Sequence, residues 1–211
     1  LEGAGYALEQ RGRTWRSLTL REDAAALASA LPDRASRYRL RTFAMQDLTE
    51  GVRDLASVFE DAFRESWSRE RMVLAEYLYA ARYLLPAWIE DGLTLVYDGT
   101  RAVGAVVCTT DINPVFRSQY CRPRAITLWR ARQLAQRSRT LVGYAIGLHP
   151  DYQNSSAALL AVRHFTHVAR RYERMYTTWI TEGNLGSERI CARFGLQPWR
   201  TLGVFCKNIQ P

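Results

Sequence analysis

A strand that passes through a turn of small residues into an apolar helix constrains the fold of this chain more than any other feature. The stretch "RTLVGYAIGL" (139–148) has the β-rich apolar pattern of a strand, and "HPDYQNSSAALLAVRHF" (149–165) follows it directly. The helix carries apolar side chains on one face: Leu159, Val162, Phe165, Val168 and Ala169. Because both elements need an apolar surface to pack against, this unit predicts a helix lying on a sheet.

The other patterns predict the order of the elements around this unit. "RYRLRTF" alternates as a strand does, and "LTLVYDGTRAVGAVVCTT" is a hairpin whose two β-rich runs meet at Asp98-Gly99. Two helical stretches separate them, and Pro86 interrupts the second. After the central unit come a strand, a short helix ended by Gly195 and a last strand. The order β-α-α-β-β-insert-β-α-β-α-β predicts an α/β domain around a mixed sheet.

The chain divides into regions of different character. Residues 1–37 are interpreted as an N-terminal appendage, with a short amphipathic helix stopped by Pro32 and a preceding stretch too polar to assign. Residues 38–211 are expected to form the α/β domain. Within it, the insert 111–139 is the least regular part and carries seven arginines. Because the chain starts with Leu1, we expect a processed product or a segment of a longer polypeptide.

The composition indicates in which compartment the protein resides and whether it binds zinc. No apolar run is long enough to cross a bilayer, and charged residues interrupt the first twenty positions. We therefore expect neither a membrane span nor a signal peptide. The four cysteines show no CxxC pairing and only three histidines accompany them, so we expect no zinc site. We predict buried free thiols in a reducing, cytoplasmic compartment.

The formal net charge of +8 predicts attraction to anions, such as phosphorylated cofactors, acidic proteins or nucleic acid. The turn Asn-Ser-Ser-Ala-Ala (154–158) opens a helix, where unpaired N–H groups and the helix dipole attract anions. Its small side chains would let a phosphate reach the backbone. Two interpretations stay open: a cradle for a phosphate-bearing ligand, or a serine, Ser155 or Ser156, that caps the helix and binds nothing.

The ordered set of hairpin, strand, small-residue turn, helix and strand, followed by Asn-x-x-Ser and a later glycine, resembles the GCN5-related N-acetyltransferase (GNAT) superfamily. The resemblance covers about residues 38–208. In that family the turn reads Gln/Arg-x-x-Gly-x-Gly/Ala; here Gln153 and Ala158 match, whereas Ser156 stands where glycine is usual. The resemblance implies a GNAT-like α/β fold, a mixed and mostly antiparallel sheet flanked by helices, with splayed central strands.

The resemblance also implies an activity: an acyltransferase that moves an acyl group, such as acetyl, from acyl-CoA to an amine of an unidentified acceptor. The strand backbone at Ile146 and Leu148 would bind the pantetheine arm of this small-molecule donor. The turn would bind the pyrophosphate, and Asn184 would cap its own helix and border the cofactor. The turn residues are Gln153, Asn154, Ser155, Ser156, Ala157 and Ala158. Positioning supplies much of the rate acceleration in such chemistry.

The proton donor has three candidates. Counted from Asn184, Cys191 stands where the family's usual tyrosine donor is found, and a thiol could protonate a leaving thiolate. Alternatively, Cys191 is a core residue of a short helix. Tyr176 and Tyr144, on the two central strands, are the other candidate donors.

No single residue is assigned as the general base that would accept the proton of the amine. Glu182 and His149 lie at the ends of the splayed strands and Asp111 ends the strand before them, but each is also interpreted as a cap or loop residue. A water chain would serve equally well. Trp179 and Trp199 either line the substrate pocket or pack in the core.

The arginine-rich insert has three open interpretations. It is a solvated loop and helix, a grip on the 3′-phosphate of CoA or on an acidic acceptor, or a dock for an acidic acyl carrier protein. Nucleic acid is disfavoured, because the aromatic residues near these arginines form no stacking motif.

Two alternative functions stay open. The first is a GNAT-like domain of a polyketide or related assembly line that transfers or decarboxylates carrier-bound acyl groups. Starter domains of that kind pair a strand threonine with a histidine near the final helix; Thr177 and Thr178 are present here, but no histidine follows His167. The second is a GNAT-like binding module without turnover, which the missing glycine and the missing tyrosine donor favour.

Overall fold

The computed structural model describes residues 4–32, 36–64, 72–118 and 125–207. The strands are β1 (Ala7–Ser17), β2 (Arg39–Thr42), β3 (Leu93–Asp98), β4 (Arg101–Thr110), β5 (Thr140–Leu148), β6 (Arg174–Thr177), β7 (Ile180–Thr181) and β8 (Gln197–Cys206). The helices are α1 (Leu20–Ala30), α2 (Leu48–Ala62), α3 (Leu74–Leu84), α4 (Asn113–Ser118), α5 (Ala125–Arg137), α6 (Ser156–Ala169) and α7 (Leu185–Arg193). None of the described helices is both long and apolar enough to cross a bilayer.

All these strands belong to one open, eight-stranded sheet. Neighbours follow the order β2-β3-β4-β5-β6-β1-β7, and β8 pairs with β1. Among the described pairings only β5–β6 is parallel, and the others are antiparallel. The predicted fold class, a mixed and mostly antiparallel sheet flanked by helices, is confirmed.

The N-terminal strand lies inside this sheet. β1 pairs with β6 and β7 on one side and with β8 on the other. This strand was not predicted from the sequence, because arginines at positions 11, 13 and 16 obscure its alternation of polar and apolar residues. The helix after it buries Leu20 and Ala24 completely in the core that also contains α6. Residues 7–30 therefore share the sheet and the core of the region that begins at residue 38.

Apolar cores cover both faces of the sheet. On the side that we call the α6 face, Trp15 of β1, Phe165 of α6 and Cys191 of α7 pack together. On the opposite side, the α2 face, Val52 and Leu55 of α2 pack over β3 and β4. The order of elements predicted from residue 38 onwards matches the structure. The insert adds two helices, α4 and α5, and the strand predicted at 174–181 is interrupted at residues 178 and 179.

The prediction of buried free thiols holds for two of the cysteines. Cys108 and Cys191 are free and buried, and Cys121 lies outside the described residues. For Cys206 the prediction is wrong: this thiol is exposed and donates a hydrogen bond to the Glu9 carboxylate. The physical reason is that β8 is the outermost strand beside β1 and most of its residues are exposed.

Candidate active site

The parallel strands β5 and β6 separate halfway along their length. They pair from Thr140–Arg174 to Gly143–Thr177. The last links come from Thr178, whose N–H donates to the Gly143 carbonyl at 3.1 Å and whose hydroxyl donates to the Tyr144 carbonyl at 2.7 Å. Beyond this point β5 continues along β4, while β7 pairs with β1. A gap therefore opens beside the second half of β5.

The backbone of β5 presents unused polar groups to this gap. The His149 N–H donates to the Val103 carbonyl at 2.9 Å, which places that residue in a hydrogen-bonded pair with β4. Because backbone groups alternate in direction along an antiparallel strand, the N–H and C=O groups of Ile146 and Leu148 point away from β4 and into the gap. A shift in register leaves Tyr144 without a partner on β4, and this bulge lies where the gap begins.

A cavity of about 280 Å³ occupies the gap. It passes through the sheet, with Phe63, which directly follows α2, on one side and Phe165 and Phe194 on the other. Its polar contributors are hydroxyl and amide side chains together with one thiol: Tyr144, Thr177, Thr178, Thr181, Asn184, Ser187 and Cys191. No described residue in its wall is charged. The cavity therefore suits an uncharged group that exchanges hydrogen bonds with hydroxyl and amide side chains.

Cys191 lies in the wall of this cavity. Its side chain is 6% exposed and packs in the α6-face core, and burial raises the pKa of the thiol to about 12. A thiol this weakly acidic donates a proton poorly to a thiolate whose conjugate acid has a pKa near 9. The structure thus places Cys191 at the predicted site, but its environment favours the alternative interpretation as a core residue.

Two further candidate catalysts, Tyr176 and Glu182, do not line the cavity. Tyr176 lies on the α2 face, where its ring packs 4.8 Å from the ring of Trp199. Glu182 is exposed, and its carboxylate lies 3.6 Å from the guanidinium of Arg13. Neither side chain reaches the gap, so both catalytic roles stay predictions without geometric support.

His149 is held under the end of α2. Its Nδ1 accepts a hydrogen bond from the Asp151 N–H at 3.3 Å, and its Nε2 lies 3.6 Å from the Asp61 carboxylate. The imidazole is also in edge contact with Tyr152. These contacts tie the end of β5 to α2 and direct the ring away from the cavity wall. Asp111 likewise has a local role, because its carboxylate accepts a hydrogen bond from the Asn113 N–H at the start of α4.

The small-residue turn begins α6 as predicted, and one of its serines is a cap. The Ser155 hydroxyl accepts a hydrogen bond from the Ala157 N–H at 3.1 Å and donates one to the Tyr152 carbonyl at 2.7 Å. Helix geometry leaves the N–H groups of Ser156 and Ala158 without intrahelical partners. Gln153 and Asn154 are exposed, whereas Ala157 is fully buried. The turn does not line the cavity.

Asn184 connects the cavity with a helix start. Its side-chain oxygen accepts a hydrogen bond from the Ser187 N–H at 3.1 Å, so it caps α7, and both residues line the cavity. Among the predicted cofactor-binding residues outside the strands, Asn184 is the one that the structure brings to the gap.

Two large side chains shape the cavity: Met175, which the sequence did not indicate, and Trp179, for which a place in the pocket or in the core was left open. Met175 covers Gly143 so closely that a Cβ there would lie 2.3 Å from the Met175 Cε. Trp179 lies over Gly12 of β1, where a Cβ would lie 0.9 Å from the indole nitrogen. Both glycines permit close approach of a large side chain, but the partners are more than thirty residues away and no local pattern indicates them.

The arginines of the insert do not reach the cavity in the described part of the chain. Arg132 donates to the Trp88 carbonyl at 2.7 Å, and Arg139 pairs with Glu173 at 2.7 Å. Arg130 and Arg137 are exposed on α5, while Arg122 and Arg124 lie outside the described residues. A solvated helical surface accounts for these positions.

Neither a family model nor a curated protein matches the chain. Several solved structures do match it in fold. A GCN5-related N-acetyltransferase from Sphaerobacter thermophilus is 12% identical, with 97% of this chain and 53% of that chain covered and a TM-score of 0.56. A tandem GNAT protein from the clavulanic acid biosynthesis pathway is 15% identical, with 97% and 55% covered and a TM-score of 0.51. Eis1 from Mycobacterium abscessus is 13% identical, with 97% and 42% covered and a TM-score of 0.52.

These structures are similar in fold, and the chain therefore has the GNAT fold. It spans about half the length of each of the three structures.

Proposed function

We propose that this protein is an acyltransferase that moves an acyl group, acetyl being the simplest, from acyl-CoA to an amine. One observation carries the proposal: an uncharged cavity crosses the sheet where β5 and β6 separate, Ile146 lines this cavity, and the backbone groups of Ile146 and Leu148 that face away from β4 point into the gap. Acyl-CoA supplies an activated thioester, and the protein's task is then to hold it and admit the amine.

The donor would be held along β5. The N–H and C=O groups of Ile146 and Leu148 match the spacing of amides in an extended arm that adds to a strand, while Asn184 and Ser187 face that arm from α7. The diphosphate would lie at the N-terminus of α6, where Ser156 and Ala158 offer N–H groups. Since Ser155 already occupies the Ala157 N–H, this cradle has fewer free donors than a glycine turn would have.

Tyr144 is the proposed proton donor. It lies at the bulge where the gap begins, lines the cavity and is 41% exposed, so the residue keeps contact with solvent. We propose that this hydroxyl delivers a proton to the leaving sulfur and that water removes the proton of the amine.

The carrier-protein alternative has no specific support in the described residues. No histidine lines the cavity, and the Thr177 hydroxyl already accepts the Trp15 N–H at 2.9 Å. A thermal-shift comparison separates the remaining possibilities. We expect acetyl-CoA and CoA to raise the melting temperature, and acetyl-CoA with amines to release free thiol. No shift with acetyl-CoA, malonyl-CoA or CoA would refute the proposal, and a shift without thiol release from any amine would favour a binding module.

The cradle is tested by Ser156→Asp against the matched control Ser156→Asn. Both side chains have the same size and both are acceptable in the first turn of a helix, but only the carboxylate repels a diphosphate. We expect the aspartate variant to bind CoA at least tenfold more weakly, about 1.4 kcal/mol, with little change for the asparagine variant. Equal affinities for the two variants would show that the diphosphate lies elsewhere.

A further inference from the structure

The α2 face carries an aromatic and cationic surface beside the cavity, formed by Arg16, Tyr176, Trp199 and Arg200. The rings of Tyr176 and Trp199 lie 4.8 Å apart. The Arg200 guanidinium lies 4.0 Å from the centre of the Trp199 ring, and that of Arg16 lies 5.5 Å from it. We call these four residues the Trp199 surface.

The strand registers place this surface on one side of the sheet. Trp15 and Met175 point into the α6-face core, so their neighbours Arg16 and Tyr176, which pair directly across the strands, point to the α2 face. Arg200 pairs with Thr14, which is two residues from Arg16 and shares its face. The same face of β5 meets the end of α2, because a Cβ on Gly147 would contact Ala62 and Phe63.

The two guanidinium groups are held in place without a counter-charge. In the described part of the chain, no carboxylate lies within 4.0 Å of either Arg16 or Arg200, whereas seven other arginines have such partners. Beneath them the Thr14 hydroxyl is buried, and no described residue gives it a hydrogen-bond partner. Stacking on Trp199 limits the freedom of the guanidinium groups, so a bound anion meets donors that are already oriented.

We infer that the acceptor is a small amine that also carries a carboxylate or phosphate, and that the Trp199 surface binds this anionic group. The inference rests on the proposed acyl transfer. The surface spans three neighbouring strands, from Tyr176 on β6 through Arg16 on β1 to Trp199 and Arg200 on β8. Neighbouring strands are about 4.8 Å apart, so the anionic group lies about 5 to 14 Å from the gap that receives the amine.

Matched pairs of amines test this inference by thiol release from acetyl-CoA. 6-Aminohexanoate is compared with 6-aminohexanamide, and 6-aminohexyl phosphate with 6-aminohexanol; each chain extends about 8 Å. We expect kcat/KM to be at least tenfold higher for the anionic member of one or both pairs, which also identifies the preferred anion. The shorter 3-aminopropanoate should show no advantage over its amide. Equal use of charged and neutral members in both pairs would overturn the inference.

The double variant Arg16→Gln, Arg200→Gln should lower the preference for the anionic member at least tenfold. Arg137→Gln, which removes an exposed arginine from α5, is the matched control and should keep the preference. A preference that survives the double variant, or that the control loses equally, would contradict the assignment to this surface.

A binding measurement keeps the inference separate from the proposed transfer. The indole N–H resonance of Trp199, assigned with Trp199→Phe, should shift when 6-aminohexanoate or 6-aminohexyl phosphate is added and stay in place with the neutral partners. The double variant should abolish that shift. Absence of the shift in the native protein refutes the Trp199 surface even if acetyl-CoA binds, whereas a shift without acetyl-CoA binding refutes the transferase proposal alone.

Discussion

Two residues of the cavity wall show how local environment separates similar candidates. Tyr144 and Cys191 both line the gap, yet the tyrosine is partly exposed while the thiol is buried among Phe165 and Phe194. A proton donor needs contact with a proton source and a pKa near that of the group it serves. Only Tyr144 has the first of these properties, which sequence position alone did not distinguish.

Tyr144→Phe tests the donor directly. If its hydroxyl protonates the leaving sulfur, we expect kcat to fall about 100-fold with little change in KM, since general acids contribute about 10²- to 10⁴-fold. Tyr83→Phe, an exposed tyrosine of α3, is the control and should retain full kcat. Retention of kcat by Tyr144→Phe would remove this residue from the mechanism.

Cys191→Ala should leave kcat within about threefold of the native value and change the alkaline stability instead. The pKa of the thiol is raised to about 12 in the folded protein, compared with about 8.5 in the unfolded chain. The unfolded thiol therefore ionises first as pH rises, and the stability present below about pH 8.5 is lost progressively up to about pH 12.

The variant should accordingly lose less free energy of unfolding than the native protein between pH 8 and 10, by about 1 to 2 kcal/mol. Urea denaturation at the two pH values measures this, and the same comparison between pH 6 and 7 is the control. Identical alkaline losses in the two proteins would mean that the Cys191 thiol is solvated.

Among the elements, the start of α6 combines a structural and a proposed binding role. The Ser155 hydroxyl caps the helix, while the neighbouring N–H groups are the ones proposed to meet a diphosphate. The sequence left a cap and a cradle as alternatives. The geometry shows that the cap uses one N–H and leaves others for a ligand, so the two roles are compatible.

The variant Ser155→Ala separates the capping role of this turn from its proposed binding role. Loss of the bonds to Ala157 and Tyr152 should lower the free energy of unfolding by about 1 kcal/mol, measured by chemical denaturation. The control Ser156→Ala should change it by less than half as much. CoA affinity should be unaffected by Ser155→Ala, because the variant removes no N–H donor. A tenfold loss of affinity would mean that the serine hydroxyl itself binds the cofactor.

At the scale of the whole molecule, the position of β1 decides whether the protein unfolds as one unit. This strand bridges β6 and β8, and Trp15 fills part of the core shared with α6 and α7. An independent appendage would unfold separately. A strand paired on both sides should unfold together with the rest.

Trp15→Ala tests this cooperativity. Removal of a tryptophan that is only 9% exposed should cost about 3 to 5 kcal/mol, a large part of a typical domain stability of about 5 to 15 kcal/mol. The denaturation midpoint should fall for every spectroscopic probe at once. Trp199→Ala, at 37% exposure, is the control and should cost far less. An unchanged global midpoint in Trp15→Ala would show that β1 is a separate unit.

The sequence by itself determined the order of elements from residue 38 onwards, the hairpin at Asp98-Gly99 and the caps at Asn184 and in the turn before α6. Apolar periodicity, turn chemistry and capping depend on residues within about one helical turn or one strand of each other, so they can be read locally. The resemblance carried by these elements also led to the correct fold class.

Only the tertiary structure decided that β1 enters the sheet and that Tyr176 faces away from the gap. It also decided that Tyr144 lies at the point where the gap opens. Each of these depends on the register between strands far apart in the chain, such as the pairing of Arg16 with Tyr176. A shift of one residue in such a register moves a side chain to the other face, and no local pattern encodes that choice. The site therefore depends on strand pairing between residues far apart in the chain, whereas the individual helices and strands that form it are determined by local sequence.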